Sequence, residues 1–155
     1  MNAKLSPISE LNGIIPSLHT PFKINKSIDY KSLEKLVLHT IDMNCAGMLL
    51  SAVAGETQNL TFNEKAEMME FVLDISRNII PIIFGCSSQK IEEIYSLVDL
   101  ARQKKIKWVL IQAPLNLDEG DLIVFYKKIN EIGPSHLMIQ DLSWDGYGLS
   151  DAIIQ

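Results

Sequence analysis

Apolar residues along this chain follow two alternating rhythms. Short continuous runs occur at Gly13–Leu18, Met48–Leu50, Ile79–Phe84, Trp108–Ile111 and Leu137–Ile139. Between them, apolar positions recur three and four apart, the spacing of one helix face. Those stripes are Leu33, Leu36, Val37, Thr40 and Ile41; Met68, Met69, Val72 and Ile75; Ile91, Ile94, Tyr95, Val98 and Ala101; and Leu122, Phe125, Tyr126 and Ile129. The polar residues before the stripes punctuate them. Asp29 and Ser88 are expected to cap helices, and Thr61 with Glu64 has the spacing of a capping box. Ser150-Asp151 opens one more helix.

The pattern therefore predicts five strands, four helices and a helix stub in strict alternation. Strand starts recur at roughly 30 residues, the length of one βα unit. Uninterrupted apolar strands belong to a parallel sheet that is not half exposed to water. Two α/β architectures fit: a complete five-stranded doubly wound sheet, or the first part of an eight-fold barrel. Residues 1–12 read as a leader and 13–155 as one domain.

Composition narrows the function classes. Of 155 residues, 47% are hydrophobic and 21% charged, as in a soluble globular protein. The net charge of −5, with the signs mixed along the chain, gives no basic patch for nucleic acid. No apolar run reaches the ~20 residues needed to span a bilayer. Cys45 and Cys86 form neither a disulfide framework nor a metal spacing. The expectation is a cytoplasmic protein with no metal and no cofactor.

Five motifs then decide between the architectures. Gly13-Ile14-Ile15-Pro16-Ser17-Leu18-His19-Thr20-Pro21-Phe22, followed by Asp29 and Leu33-x-x-Leu36, resembles the opening of the dihydrodipicolinate synthase/N-acetylneuraminate lyase family. Gly55-Glu56-Thr57-Gln58-Asn59-Leu60-Thr61-x-x-Glu64 is similar to that family's Gly-Glu-x-x-x-Leu-Thr/Ser-x-x-Glu. Pro81-Ile82-Ile83-Phe84-Gly85-Cys86-Ser87-Ser88, Gln112-Ala113-Pro114 and Ile139-Gln140-Asp141 look like its later strand ends, in the right order.

The resemblance implies a TIM (β/α)8-barrel type of fold, truncated after strand five. It implies a lyase of the class I aldolase type, which forms a Schiff base between a lysine and pyruvate or another 2-oxo acid. The family's lysine is on strand six, so the resemblance expects no counterpart in this chain. Lys105 and Lys107 precede a strand and belong at the opposite end of the sheet. The implied partner is a small-molecule 2-oxo acid, with a homo-oligomer when the protein is full length.

Site residues carry over position by position. Val53 and Ala54 replace the family's Thr-Thr pair, so both hydroxyls are absent. Backbone N–H groups at Val53, Ala54 and Gly55 can still face a carboxylate, since a tight turn aims several donors at one anion. Against that, Gly55 can simply supply a permissive backbone and Glu56 can fix the loop. Gln140 stands at the position of a proton-transferring tyrosine, and an amide hydrogen-bonds without exchanging a proton as a phenol does. Asp141 is either a general base or a backbone anchor. Thr20 and His19 sit where the first strand meets the catalytic end. Cys86 reads as a packing thiol, since no clear base accompanies it. Asn116 and Leu117 stand where many relatives have a tyrosine pair, and the loop Leu142–Gly146 lacks the family's arginine.

Two other readings stay open. One is an inactive truncated barrel or fragment, with unpaired edges and an uncovered apolar interior. The other is a five-stranded flavodoxin-like binding module, whose strand order would be shuffled, with the first strand beside the third.

Overall fold

The structure, a computed structural model, describes residues 11–114, 117–142 and 148–154. Strands β1 (Met48–Leu50), β2 (Ile82–Gly85), β3 (Trp108–Gln112) and β4 (His136–Gln140) form one parallel sheet in sequential order. Helices α1 (Tyr30–Asp42), α2 (Phe62–Ser76), α3 (Ile91–Gln103) and α4 (Glu119–Ile132) alternate with them, and α5 (Asp151–Ile154) closes the described chain. Residues 1–10 of the expected leader, Asn116 and residues 143–147 of the loop lie outside the described residues.

Sequential order has a direct consequence. Parallel neighbours joined by right-handed crossovers put every connecting helix on the same side. The packing agrees. Met48, Leu50, Phe84, Val109 and Ile111 share one core with residues of α1 to α4. Alternate strand positions, Ile83, Trp108 and Leu110, form a second cluster with Ala52 and, around its margin, Ile15, Leu49 and Met138, to which no helix contributes. A sheet with helices on one face and a separate apolar cluster on the other is built as a barrel segment. The flavodoxin-like reading is overturned, because it needs a shuffled strand order.

The first predicted strand is corrected to an extended segment. Ser17 makes a single parallel bridge to Leu49, through Leu18 N–H to Leu49 O and Leu49 N–H to Pro16 O. The next rung back would need an N–H from Pro16, which proline lacks. Among the described residues, sheet strands therefore number four, not five. The run Ile79–Phe84 shortens to Ile82–Gly85 for a related reason: Pro81 can only accept, and its carbonyl takes Met48 N–H at 3.0 Å.

The caps follow local chemistry. Asp29 accepts from Ser32 N–H, and Thr61 and Glu64 complete the reciprocal capping box. Ser88 is not the cap of α3: Lys90 holds that position, and Ser88 Oγ accepts from Lys90 N–H and donates to Glu93 at 2.7 Å.

Candidate functional site

The carboxyl ends of the strands carry most of the polar residues singled out above. After β1, Ser51 turns into the left-handed region (φ 54°), a one-turn 3-10 helix spans Val53–Gly55, and Glu56 (φ 55°) leads into a second such turn, Thr57–Asn59. The buried Thr20 Oγ1 donates to Gly55 O at 2.6 Å. A side chain on Gly55 would bring its Cβ to 3.0 Å from Leu18 O. The first segment and this turn thus lock together through a hydroxyl and a missing methyl, which explains why Thr20 and Gly55 occur as a pair.

The donors of the turn are partly spent. Gly55 N–H is bonded to Ala52 O at 3.0 Å and Glu56 N–H to Val53 O at 3.0 Å. Of the expected trio, Gly55 therefore cannot offer its N–H to an anion. Val53 and Ala54 open the turn, where a helix has no internal acceptor for its first N–H groups. Val53 is half-buried and Ala54 exposed. Glu56 is exposed and accepts from Asn59 Nδ2 at 2.9 Å, which fixes the loop.

Beneath the turn lies a hydroxyl pair the sequence does not advertise. Ser51 Oγ and Thr57 Oγ1 are 3.0 Å apart and buried. Gly85 permits this packing, since a Cβ there would overlap the Ser51 carbonyl.

At the far edge of the sheet, Gln140 pairs in register with Gln112. Its Oε1 is buried and has no hydrogen-bond partner among the described residues. Asp141 Oδ1 accepts from Leu149 N–H at 2.9 Å, and a Cβ on Gly148 would reach within 2.5 Å of Asp141 Oδ2. That is the geometry of a loop anchor. The buried Tyr126 hydroxyl, also without a partner among the described residues, is pushed up to about 12, first by burial and then by the Asp141 charge. No hydrogen bond among the described residues joins Gln140 or Asp141 to the 53–56 turn, which lies beyond the opposite strand of the sheet. His19 is exposed. Cys86 is fully buried and burial pushes its thiol up, as for a packing residue. No group of three His, Cys, Asp or Glu among the described residues is arranged to hold a metal.

A cavity of about 660 Å³ opens at the same end, between the 57–60 turn, α2 and the strand ends at Ser87–Ser88 and Gln112–Pro114. Its least expected member is Lys65, only 3% exposed, which donates to Ser87 O at 2.8 Å. Burial holds this ammonium below the ordinary lysine range, partly offset by the Glu93 charge. The sequence signal for its burial is its spacing: Lys65, Met68, Met69 and Val72 fall on one helical stripe.

The family model described as "Dihydrodipicolinate synthetase family" matches residues 10–139. The 4-hydroxy-tetrahydrodipicolinate synthase of Karelsulcia muelleri is 33% identical over 107 residues, covering 69% of this chain and 36% of its own length. That of Leuconostoc mesenteroides is 26% identical over 133 residues, covering 84% and 46%. The chain thus spans less than half the length of these relatives. Among solved structures, dihydrodipicolinate synthase from Aquifex aeolicus superimposes with a TM-score of 0.79 at 24% identity, over 84% of this chain and 45% of that one. A Ruminococcus gnavus sialic acid aldolase catalytic lysine mutant superimposes with a TM-score of 0.86 at 14% identity, over 94% and 49%. At these identities the structural likeness bears on the fold alone. No described helix is long and apolar enough to cross a membrane.

Proposed function

The chain belongs to the dihydrodipicolinate synthetase family, and from that premise we propose that it supplies the 2-oxo acid seat of a Schiff-base lyase. In that reading the four strands are the first part of a (β/α)8 barrel, and closing it brings the Gln140 edge around to face the 53–56 turn. The substrate is pyruvate or a longer 2-oxo acid, and the full-length protein is a homo-oligomer.

The observation that carries the proposal is the turn at the carboxyl end of β1. In this reading the Val53 and Ala54 N–H groups, at the start of the 53–55 turn, are the donors for the substrate carboxylate, and the Thr20 hydroxyl holds the turn through Gly55 O. The reacting amine comes from the strand-six lysine the family uses. It attacks the keto carbon, water leaves, and the resulting iminium draws electrons from the neighbouring carbon so that a bond there forms or breaks. This chain's share is to bind and orient the acid.

Its substitutions argue for divergence from dihydrodipicolinate synthesis itself. Val53 and Ala54 bring no hydroxyl for a proton relay. Gln140 has a carbonyl oxygen without a partner among the described residues, and its amide can orient a substrate but cannot transfer a proton as a phenol does. Borohydride reduction of a full-length protein carrying this chain, in the presence of pyruvate or a longer 2-oxo acid, is expected to leave a covalent adduct. Absence of adduct across a panel of 2-oxo acids sinks the proposal.

A further inference from the structure

The amino ends of the strands, opposite the 53–56 turn, hold a break in the sheet. Between β1 and β2 a backbone bond runs from Met48 N–H to Pro81 O at 3.0 Å, and between β3 and β4 one runs from His136 N–H to Lys107 O at 3.0 Å. Between β2 and β3, pairing begins only at Ile83 and Trp108. A parallel ladder would continue through a bond from Ile82 N–H to Ile106 O. That bond is not made among the described residues. Both residues are buried, so a donor and an acceptor are left that a folded chain ordinarily pairs. Ile82, Ile106 and Trp108 line a cavity of about 240 Å³ at this gap. The indole N–H of Trp108 is likewise buried without a partner among the described residues.

Leu73, Ile80 and Pro81 add an apolar wall, and the exposed Asn78 and Lys105 border the cavity. Lys105 makes no ion pair among the described residues. One water can bridge two backbone groups, but it would leave the apolar wall and the ammonium unanswered. An amide answers both backbone groups at once, because it carries one acceptor and one donor. We infer that this cavity binds a small N-acylated apolar amino acid. Its amide takes the place of the missing bond between Ile82 and Ile106, its side chain lies on the wall of Leu73, Ile80 and Pro81, and its carboxylate meets Lys105. The site is at the other end of the sheet from the proposed 2-oxo acid seat, and it does not depend on the Schiff-base reading.

The test is an NMR titration of the isotope-labelled 155-residue chain with N-acetyl-leucine, N-acetyl-leucinamide and isocaproate. N-acetyl-leucine is expected to shift the Ile82 backbone amide signal and the Trp108 indole N–H signal. N-acetyl-leucinamide loses the carboxylate and is expected to bind about tenfold more weakly. Isocaproate keeps the carboxylate and the hydrocarbon body but loses the amide, and is expected to bind about fivefold more weakly. Lys105→Gln should abolish the preference for N-acetyl-leucine over its leucinamide. An Ile82 signal that N-acetyl-leucine leaves in place overturns the inference, and so does equal affinity for N-acetyl-leucine and isocaproate. Neither comparison needs a variant to fold. Equal affinity for N-acetyl-leucine and N-acetyl-leucinamide overturns the role of Lys105. A tripeptide ending in leucine that binds more tightly than N-acetyl-leucine overturns the small-molecule assignment.

Discussion

Thr20 and Gly55 form the tightest residue-level argument in the molecule. A buried hydroxyl donates to a buried carbonyl, so Thr20→Val leaves Gly55 O without a partner at about 1–3 kcal/mol. A urea titration should show the midpoint falling with an unchanged slope. Gly85→Ala should cost more, about 3 kcal/mol or above, because its Cβ meets backbone that cannot swing away. Titration at single residues is also testable. Glu93 is held below the ordinary carboxylate range by the Ser88 hydroxyl and Lys90, so its stabilisation is complete above the unfolded pKa and is lost as pH falls through the folded one. Glu93→Gln should flatten the acid limb of stability against pH. Lys65 runs the opposite way: its folded pKa is lowered by burial, so stability rises as pH climbs from that value toward the unfolded one. Lys65→Met should remove that rise. Much of this scale is illegible in a sequence. Thr20, Gly55 and Glu56 stand out there through the motifs that carry the family resemblance, although the bond joining Thr20 to Gly55 spans 35 residues. The partners of Lys65, Ser51 and Asp141 lie across loops or strands, and only the packed chain brings them together.

Elements were largely legible, for physical reasons that differ among them. The four long helices follow from stripes at helical spacing, and the Thr61–Glu64 box fixes the start of α2. Thr61→Ala should therefore lower stability by about 1 kcal/mol, read by thermal or urea denaturation. Strand ends were less legible because hydrophobicity alone does not mark which N–H groups are available. Pro16 and Pro81 do mark them, and both cut an apolar run shorter than its composition suggests. Ser88 illustrates the same limit: its hydroxyl serves Glu93 and Lys90 in the loop before α3, so a residue typical of a cap sits two places ahead of one.

At the scale of the whole molecule, sequence period could not separate a doubly wound sheet from a barrel segment, since both repeat a βα unit. Spatial order does separate them, and here it is sequential with all the long helices on one face. The opposite face carries Ile83, Trp108 and Leu110 with Leu49 and Met138 at its margin, and β4 is paired only with β3 among the described residues. An unpaired edge beside apolar surface recruits other chains. The 155-residue chain on its own is thus expected to self-associate in sedimentation velocity with rising concentration, and a monodisperse monomer would contradict that expectation. Backbone amide NMR of the isotope-labelled chain titrated with pyruvate tests the proposed carboxylate seat at the strand ends most directly. The Val53 and Ala54 amide signals are expected to move, with the response weakened in Thr20→Val. Pyruvate that leaves both signals in place, at concentrations that perturb other parts of the chain, would contradict it.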